Sequence, residues 1–282
     1  KKVEFKEIIP KGVTMIEDYS DGNSGGMDHF YEMLSKAQQL NRPVRIAYFG
    51  DSFIEGDIMT CDLREQLQQA FGGEGTGWVD CGSMFNNYRR TITQKYSGIK
   101  EFSVVEKPFN KQVQALNQRY FIPSSGAKIT TNGTSYKPHC AQWQNALLYF
   151  RTNQPMNIAT SINGTDGPSM NVGGSSSVQM IASKGNMHSI GYSLSSVGSG
   201  TYLYGVALES AKGVILDNFS MRGSAGFTIA NVPQQTMNDF ARLRPYDLII
   251  IHFGLNVANA KNTNAIYKAY TDRMAVVISE LR

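Results

Sequence analysis

Residues 49–57 read Phe49-Gly50-Asp51-Ser52-Phe53-Ile54-Glu55-Gly56-Asp57. The spacing of apolar residues changes across this segment, and the predicted fold class follows from that change. Residues 44–50 are a short apolar run rich in β-formers and ending on glycine, which predicts a strand. After the stretch, apolar residues recur at helical spacing up to Phe71, and Gly72-Gly73 ends the predicted helix. A strand that leads into a helix is the repeating unit of α/β folds.

The same alternation of strand and helix recurs on both sides of a different middle part. Between residues 96 and 208, short strands alternate with turn signals such as Asn163-Gly164, a pattern typical of an antiparallel β-sandwich. The flanking parts carry the α/β pattern: a helix over 27–40, a strand over 214–219, a helix over 232–243, a strand over 246–253 and a helix over 264–281.

We therefore predict an α/β fold, a three-layer α/β/α parallel sheet of the flavodoxin-like kind with an inserted β-sandwich module. The predicted domains are the first part of the α/β domain over 1–95, the sandwich over 96–208 and the continued α/β domain over 209–282. Because the last predicted helix has no strand after it, we expect the C-terminal strands of this sheet to be missing.

Three candidate site residues follow the three predicted sheet strands. Ser52, Gly223 and Asn256 come shortly after the strands over 44–50, 214–219 and 246–253. In an open α/β sheet, ligands bind at the carboxyl edge of the strands, so we expect these residues to meet there. The amides of Ser52 and Gly223 and the side chain of Asn256 would then form an oxyanion hole. Ser52, at a helix N-terminus, would be the nucleophile. The alternative is that Ser52 or Asp51 only caps the helix, which would also account for the tripeptide Gly50-Asp51-Ser52.

Four charged residues near these positions have simpler interpretations. Asp51 is expected to shape the strand-to-helix turn by accepting backbone hydrogen bonds. Glu55 and Asp57 are interpreted as compensating the helix dipole in the first turn. Arg222 is interpreted as a solvated surface arginine, with contact to an anionic substrate as the alternative.

These blocks resemble the SGNH (GDSL-like) hydrolase superfamily, whose blocks carry Gly-Asp-Ser, a glycine, Gly-x-Asn and finally Asp-x-x-His. The string over 49–57 and the β-rich insertion are more narrowly similar to bacterial polysaccharide O-acetylesterases, peptidoglycan O-acetylesterases included, in which the insertion resembles a carbohydrate-binding module. The resemblance implies that Ser52 is the nucleophile and that Gly223 and Asn256 help to bind the oxyanion. It also implies hydrolysis of acyl esters, acetyl esters first, on a glycan, with no metal or organic cofactor.

The chain departs from this family in its fourth block, because no Asp-x-x-His occurs in its 282 residues. A serine hydroxyl needs a positioned base at neutral pH. Of the four histidines, His29, His139 and His188 have no obvious route to Ser52, and His252 is interpreted as a core histidine of its strand. We expect the missing block to lie beyond residue 282 or to be lost. The alternatives are a non-catalytic glycan-binding protein on a hydrolase scaffold, and an acyltransferase that uses identical residues.

Composition excludes several classes of protein and partner. A net charge of +4 from scattered residues does not favour a nucleic-acid partner. No apolar run approaches the roughly 20 residues of a membrane span. No leader pattern begins the chain, so any export signal is already removed or never existed. The resemblance to glycan O-acetylesterases implies a periplasmic or cell-surface protein whose leader is already removed. No oligomeric state is predicted. We interpret the three cysteines as buried, and the sequence selects no pair that would bond.

The β-rich middle part contains aromatic residues of the kind on which sugar rings stack. Core packing explains them equally well, so glycan contact is an expectation that comes from the resemblance. These aromatic residues are Trp143, Tyr149, Tyr192, Tyr202 and Tyr204.

Overall fold

The computed structural model describes residues 11, 12, 17, 19 and 26–282, so the N-terminal segment searched for a leader lies mostly outside it. The described residues contain four α-helices: α1 (Asp28–Ser35), α2 (Ile58–Phe71), α3 (Gln234–Leu243) and α4 (Asn264–Leu281). They contain twelve strands: β1 (Val44–Gly50), β2 (Gly77–Asp80), β3 (Ile92–Ser103), β4 (Arg119–Gly133), β5 (Trp143–Thr152), β6 (Met156–Ile162), β7 (Thr165–Val172), β8 (Ser175–Met187), β9 (Ser189–Ser195), β10 (Thr201–Glu209), β11 (Val214–Ser220) and β12 (Leu248–His252). Five short 3₁₀ helices lie between them: Glu55–Asp57, Met84–Tyr88, Lys111–Val113, Pro138–Cys140 and Phe227–Asn231.

Three of the described strands form a parallel sheet in the order β11-β1-β12. The central strand pairs Val44 with Val214 on one side and Ile46 with Leu248 on the other. All seven residues of β1 are buried, which explains why this strand reads as a continuous apolar run and not as an alternating one. Each of these strands was predicted from the sequence, and each prediction is confirmed.

The helices of this part end where the sequence predicts, with the exception of α1. Helix α2 ends at Phe71, where Gly72 takes a positive φ, and α4 covers the residues that periodicity indicated. The prediction that the first helix continues to residue 40 is wrong, because α1 ends at Ser35. Beyond it the chain turns so that the Ala37 carbonyl accepts a hydrogen bond from the Gly213 amide at 3.0 Å.

The larger sheet of the described residues is antiparallel and has nine strands. Its main path runs β7-β6-β9-β4-β10-β5-β8, while β2 pairs with β10 and β3 pairs with β4. One apolar core lies against it, to which strands from opposite ends of that path contribute, for example Ile158 of β6 and Leu148 of β5. The sheet therefore curls around its own core.

The predicted fold class, a three-layer α/β/α parallel sheet with an inserted sandwich, is wrong. Nine of the twelve described strands belong to the curled antiparallel sheet, and only three are parallel. The sequence pattern led to the error because alternating strands and helices indicate local units but not the hydrogen-bonded neighbours of each strand. β2 illustrates this, since its four residues pair with β10, far along the chain, and not with β1.

Buried charges join the two sheets. Arg244, at the end of α3, is fully buried and donates to Asp217 of β11 at 2.5 and 2.8 Å and to Glu209 of β10 at 2.9 Å. Arg45 of β1 donates to the same Glu209 at 2.6 Å. Because a buried charge without its partner is costly, this network fixes the parallel sheet against the antiparallel one.

No helix of the described residues combines the length and the apolar character that crossing a bilayer requires. Cys61, Cys81 and Cys140 are all buried and unpaired among the described residues, and the prediction that they are buried is confirmed.

Candidate active site

The ends of the three parallel strands lie at one level, which brings the loops after them together. Gly50, the last residue of β1, pairs with Ser220 of β11 and with His252 of β12, each also the last residue of its strand. The amide of Met221 donates to the Gly50 carbonyl at 2.9 Å. The segments that carry Ser52, Gly223 and Asn256 therefore leave the same edge of the sheet, as expected from the sequence.

Ser52 is half-buried and lies in a turn, not at the start of a helix. Helix α2 begins at Ile58, after the 3₁₀ turn Glu55–Asp57, so the expected position at a helix N-terminus is wrong. The field of a helix dipole falls off within its first turn, and it therefore contributes little at Ser52.

The turn depends on a glycine at its first position. A Cβ on Gly50 would lie 2.9 Å from the Ile54 side chain and 3.2 Å from the His252 carbonyl oxygen. Next to it, the buried carboxylate of Asp51 accepts a hydrogen bond from the Phe53 amide at 3.0 Å. The expected role of Asp51 in shaping the turn is confirmed.

Asp57 anchors the far end of the turn, and dipole compensation at the N-cap of α2 is not its only role. Its carboxylate is buried, with the backbone in the left-handed region at φ 62°. It pairs with Arg64 at 2.5 Å and Arg89 at 3.2 Å and accepts hydrogen bonds from Thr60 and Thr91. Burial would raise the pKa of Asp57, but the two guanidinium groups outweigh it and hold the pKa well below its usual range.

Gly223 and Asn256 complete the edge in different ways. Gly223 is exposed with φ 75°, and a Cβ there would meet only Val105, at 4.0 Å, so space remains beside its amide. Asn256 turns toward the Ser52 loop: its Nδ2 donates to Asp51 at 3.1 Å and to the Ser224 carbonyl at 2.9 Å. Both amide hydrogens are thus engaged, and an oxyanion bound by Asn256 would replace one of these acceptors.

Glu55 is also buried and ion-paired, so dipole compensation alone does not account for it either. It accepts from Arg222 Nε at 2.6 Å, and Arg119 lies 3.6 Å from its other oxygen. Arg222 is 59% exposed but not simply solvated, because Glu55 holds it beside Gly223. No sequence motif indicated Arg119, whose guanidinium lies within 4 Å of the carboxylates of Glu55, Asp80 and Glu101.

The four histidines have different surroundings. His29 lies 3.4 Å from Asp247, before β12, and His139 pairs with Glu65 at 2.8 Å. His188 is exposed between β8 and β9. The interpretation of His252 as a core histidine is wrong, since its side chain is exposed and contacts the Tyr48 hydroxyl at 3.2 Å. Among the described residues, no histidine makes a hydrogen bond to Ser52.

The aromatic residues expected to contact glycan are mostly core residues. Trp143, Tyr149, Tyr192 and Tyr204 are each at most 2% exposed, and Tyr202 is partly buried with its ring edge against Tyr120. Alternation along a strand shows which residues share a face, but not which face of a curled sheet is buried.

Comparisons with known proteins give a fold but no family. No family model matches the sequence, and no curated protein matches it. A solved structure described as "Peptidoglycan O-acetylesterase in action, 5 min" is 19% identical with a TM-score of 0.69, and the match covers 94% of this chain and 71% of that chain. The chain therefore has an esterase-like fold.

The chain also matches solved structures of two carbohydrate-binding modules. A family 6 module is 11% identical with a TM-score of 0.30, the match covering 48% of this chain and 94% of that one. A family 35 module from Clostridium thermocellum is 14% identical with a TM-score of 0.29, with coverages of 40% and 89%. These scores are too low to support an argument.

Proposed function

We propose that this chain is a serine esterase that hydrolyses O-acyl esters, O-acetyl esters first, on a polysaccharide through an acyl-enzyme. The observation that carries the proposal is the common edge at which Ser52, Gly223 and Asn256 leave three strands whose last residues are in register. The similarity of fold to a peptidoglycan O-acetylesterase supports the same reaction class.

In the proposed mechanism, Ser52 Oγ attacks the ester carbonyl carbon and the carbonyl oxygen becomes an oxyanion. The backbone amides of Ser52 and Gly223 and the side-chain amide of Asn256 stabilise that charge. The sugar hydroxyl leaves as the acyl-enzyme forms, and water then releases the acid and restores Ser52. Asp51 would position Asn256 for this task through their hydrogen bond.

The mechanism requires a base that accepts the Ser52 proton, and hydrogen bonding among the described residues identifies none. The test therefore separates two functions. One is hydrolysis, and the other is glycan binding without turnover on the same scaffold, which the uncommitted Ser52 hydroxyl would permit.

The experiment measures release of nitrophenol from 4-nitrophenyl acetate and of acetate from O-acetylated peptidoglycan. We expect Ser52→Ala to lower both rates roughly 10³-fold or more, whereas Ser35→Ala, at an exposed serine of α1, leaves them unchanged. Turnover that Ser52→Ala does not affect would refute the nucleophile. Retained glycan binding with no turnover by the parent protein would establish the binding function instead.

An added sugar acceptor distinguishes hydrolysis from acyl transfer, since an acylated acceptor forms only in transfer. As part of the proposal, the reaction belongs in the periplasm or at the cell surface, where acylated glycans are found. The proposed SGNH-type assignment requires turnover that depends on Ser52, and the absence of such turnover would refute it.

A further inference from the structure

A cleft of about 320 Å³ opens beside Gly223, a volume at the lower end of the range for ligand sites. Met221 and Arg222, which precede Gly223, line the cleft, and so does Val105, whose side chain would lie 4.0 Å from a Cβ placed on Gly223. The cleft lies between the loop after β2, strand β3 and the loop after β11. It therefore adjoins Gly223, which belongs to the proposed acyl site, and residues of the antiparallel sheet line it.

One wall of the cleft is apolar and aromatic, with Tyr96 as its exposed ring. Tyr96 belongs to β3, pairs with Ile129 of β4 and is 38% exposed. Its ring lies against the backbone of Gly82, where a Cβ would be 3.0 Å from Tyr96 Cδ2. Phe85 and Ile99 continue this wall. A ring that is fixed from behind and open in front provides a surface on which a sugar can stack.

The same strand, β3, also supplies a hydrogen-bond acceptor, Glu101. Glu101 Oε1 accepts from the Ser83 hydroxyl at 3.2 Å and lies 2.9 Å from Arg119 Nε. Its other oxygen makes no hydrogen bond to any described residue, and the side chain is 18% exposed in the cleft. Ser83 and Arg119 already hold this carboxylate in place. It can therefore accept hydrogen bonds from sugar hydroxyl groups with little further loss of side-chain conformational entropy.

The charges around the cleft disfavour an acidic sugar. Its two arginines are already neutralised from behind, Arg119 by Asp80 at 2.6 Å and Arg222 by Glu55 at 2.6 Å. Glu101 and the exposed Glu106 add negative charge to the lining. A uronate carboxylate would thus meet compensated cations and two carboxylates.

We propose that this cleft binds a neutral sugar ring of the polysaccharide, with Tyr96 as the stacking platform and Glu101 as the hydroxyl acceptor. The inference rests on the proposed esterase function, since it places this sugar beside the one whose ester reaches Ser52. It makes the substrate class a neutral glycan and not a polyuronate.

The test is titration calorimetry in the Ser52→Ala background, so that binding is measured without hydrolysis and does not depend on turnover. The neutral probes are chitotriose, cellotriose and xylotriose, and the acidic probe is trigalacturonate. We expect at least one neutral trisaccharide to bind about tenfold more tightly than trigalacturonate. We expect Tyr96→Ala to weaken that binding about five- to tenfold, while Tyr96→Phe keeps it.

The matched control is Tyr31→Ala, which removes an exposed tyrosine of α1, and it should leave binding unchanged. Unchanged melting temperatures confirm that each variant is folded. Trigalacturonate binding as tightly as the neutral probes would overturn the inference. Undiminished binding to Tyr96→Ala, or no saturable binding of any neutral probe, would also overturn it. Every protein in these titrations carries Ser52→Ala, so the binding results do not depend on whether the parent protein is an esterase.

Discussion

Replacing Asp217 by asparagine tests how strongly the two sheets depend on their buried charges. The Asp217 carboxylate is fully buried and accepts from Arg244 at 2.5 and 2.8 Å. It also accepts from the Tyr246 hydroxyl at 2.6 Å and the Trp78 amide at 2.9 Å. All four hydrogen bonds are donated to Asp217 by these three residues, so Asp217→Asn removes a charge and places an NH₂ group against one of the donors.

The expected cost follows from leaving Arg244 short of one counter-charge. Breaking a buried ion pair on one side costs about 3–5 kcal/mol, a large part of the roughly 5–15 kcal/mol by which a domain is stable. At about 2–4 °C per kcal/mol for a chain of this size, the melting temperature should fall by about 6–20 °C.

The assay is thermal unfolding followed by circular dichroism, with Asp272→Asn as the matched control. Asp272 is 62% exposed and, within the part of the chain that the structure describes, pairs only with Lys268 on α4, so its loss should shift the melting temperature by less than about 2 °C. The double variant Asp217→Asn with Arg244→Met should recover part of the loss, since it removes the uncompensated charge. A melting temperature for Asp217→Asn within about 2 °C of the parent would refute the reasoning.

Two further predictions concern acid and the active-site turn. The pKa values of Asp57, Glu209 and Asp247 are lowered because, although burial raises them, their arginine partners outweigh it. The folded state then binds fewer protons than the unfolded state, so stability should be lost progressively below about pH 4, and a melting temperature constant between about pH 5 and 2 would contradict this. Gly50→Ala should cost about 1–3 kcal/mol in urea unfolding because its Cβ would lie 2.9 Å from Ile54. Gly173→Ala, with nothing within 4 Å, should change little, and equal effects of the two would argue against the contact.

The local elements were predictable where burial leaves a clear pattern. The apolar run of β1 and the periodicity of α4 needed no tertiary information, and the rule that parallel strands end at one edge brought Ser52 near Asn256. The fold class was not predictable in the same way, because the four residues of β2 carry no sign that β10 is their partner. Hydrogen-bonded neighbours are set by the whole chain.

The exposure of side chains at the site was the second gap. His252 is the last residue of an apolar strand and yet is exposed, with only the Tyr48 hydroxyl within hydrogen-bond distance of its ring among the described residues. The carboxylates around Arg119 belong to Glu55, Asp80 and Glu101. These residues lie in separate segments of the chain, so no short sequence motif contains them. Sequence patterns report the period of an element, whereas these features depend on what packs against it.

The register of the parallel sheet also determines the order in which strands can pair while the chain is synthesised. Val44 of β1 pairs with Val214 of β11, so the central strand must wait for its first neighbour while the intervening residues are made. At about 5–20 residues per second, that interval is about 10–30 s. Meanwhile β3 and β4, whose residues lie close in sequence, can already pair. The edge that carries Ser52 is thus assembled late, after most of the antiparallel sheet has left the ribosome.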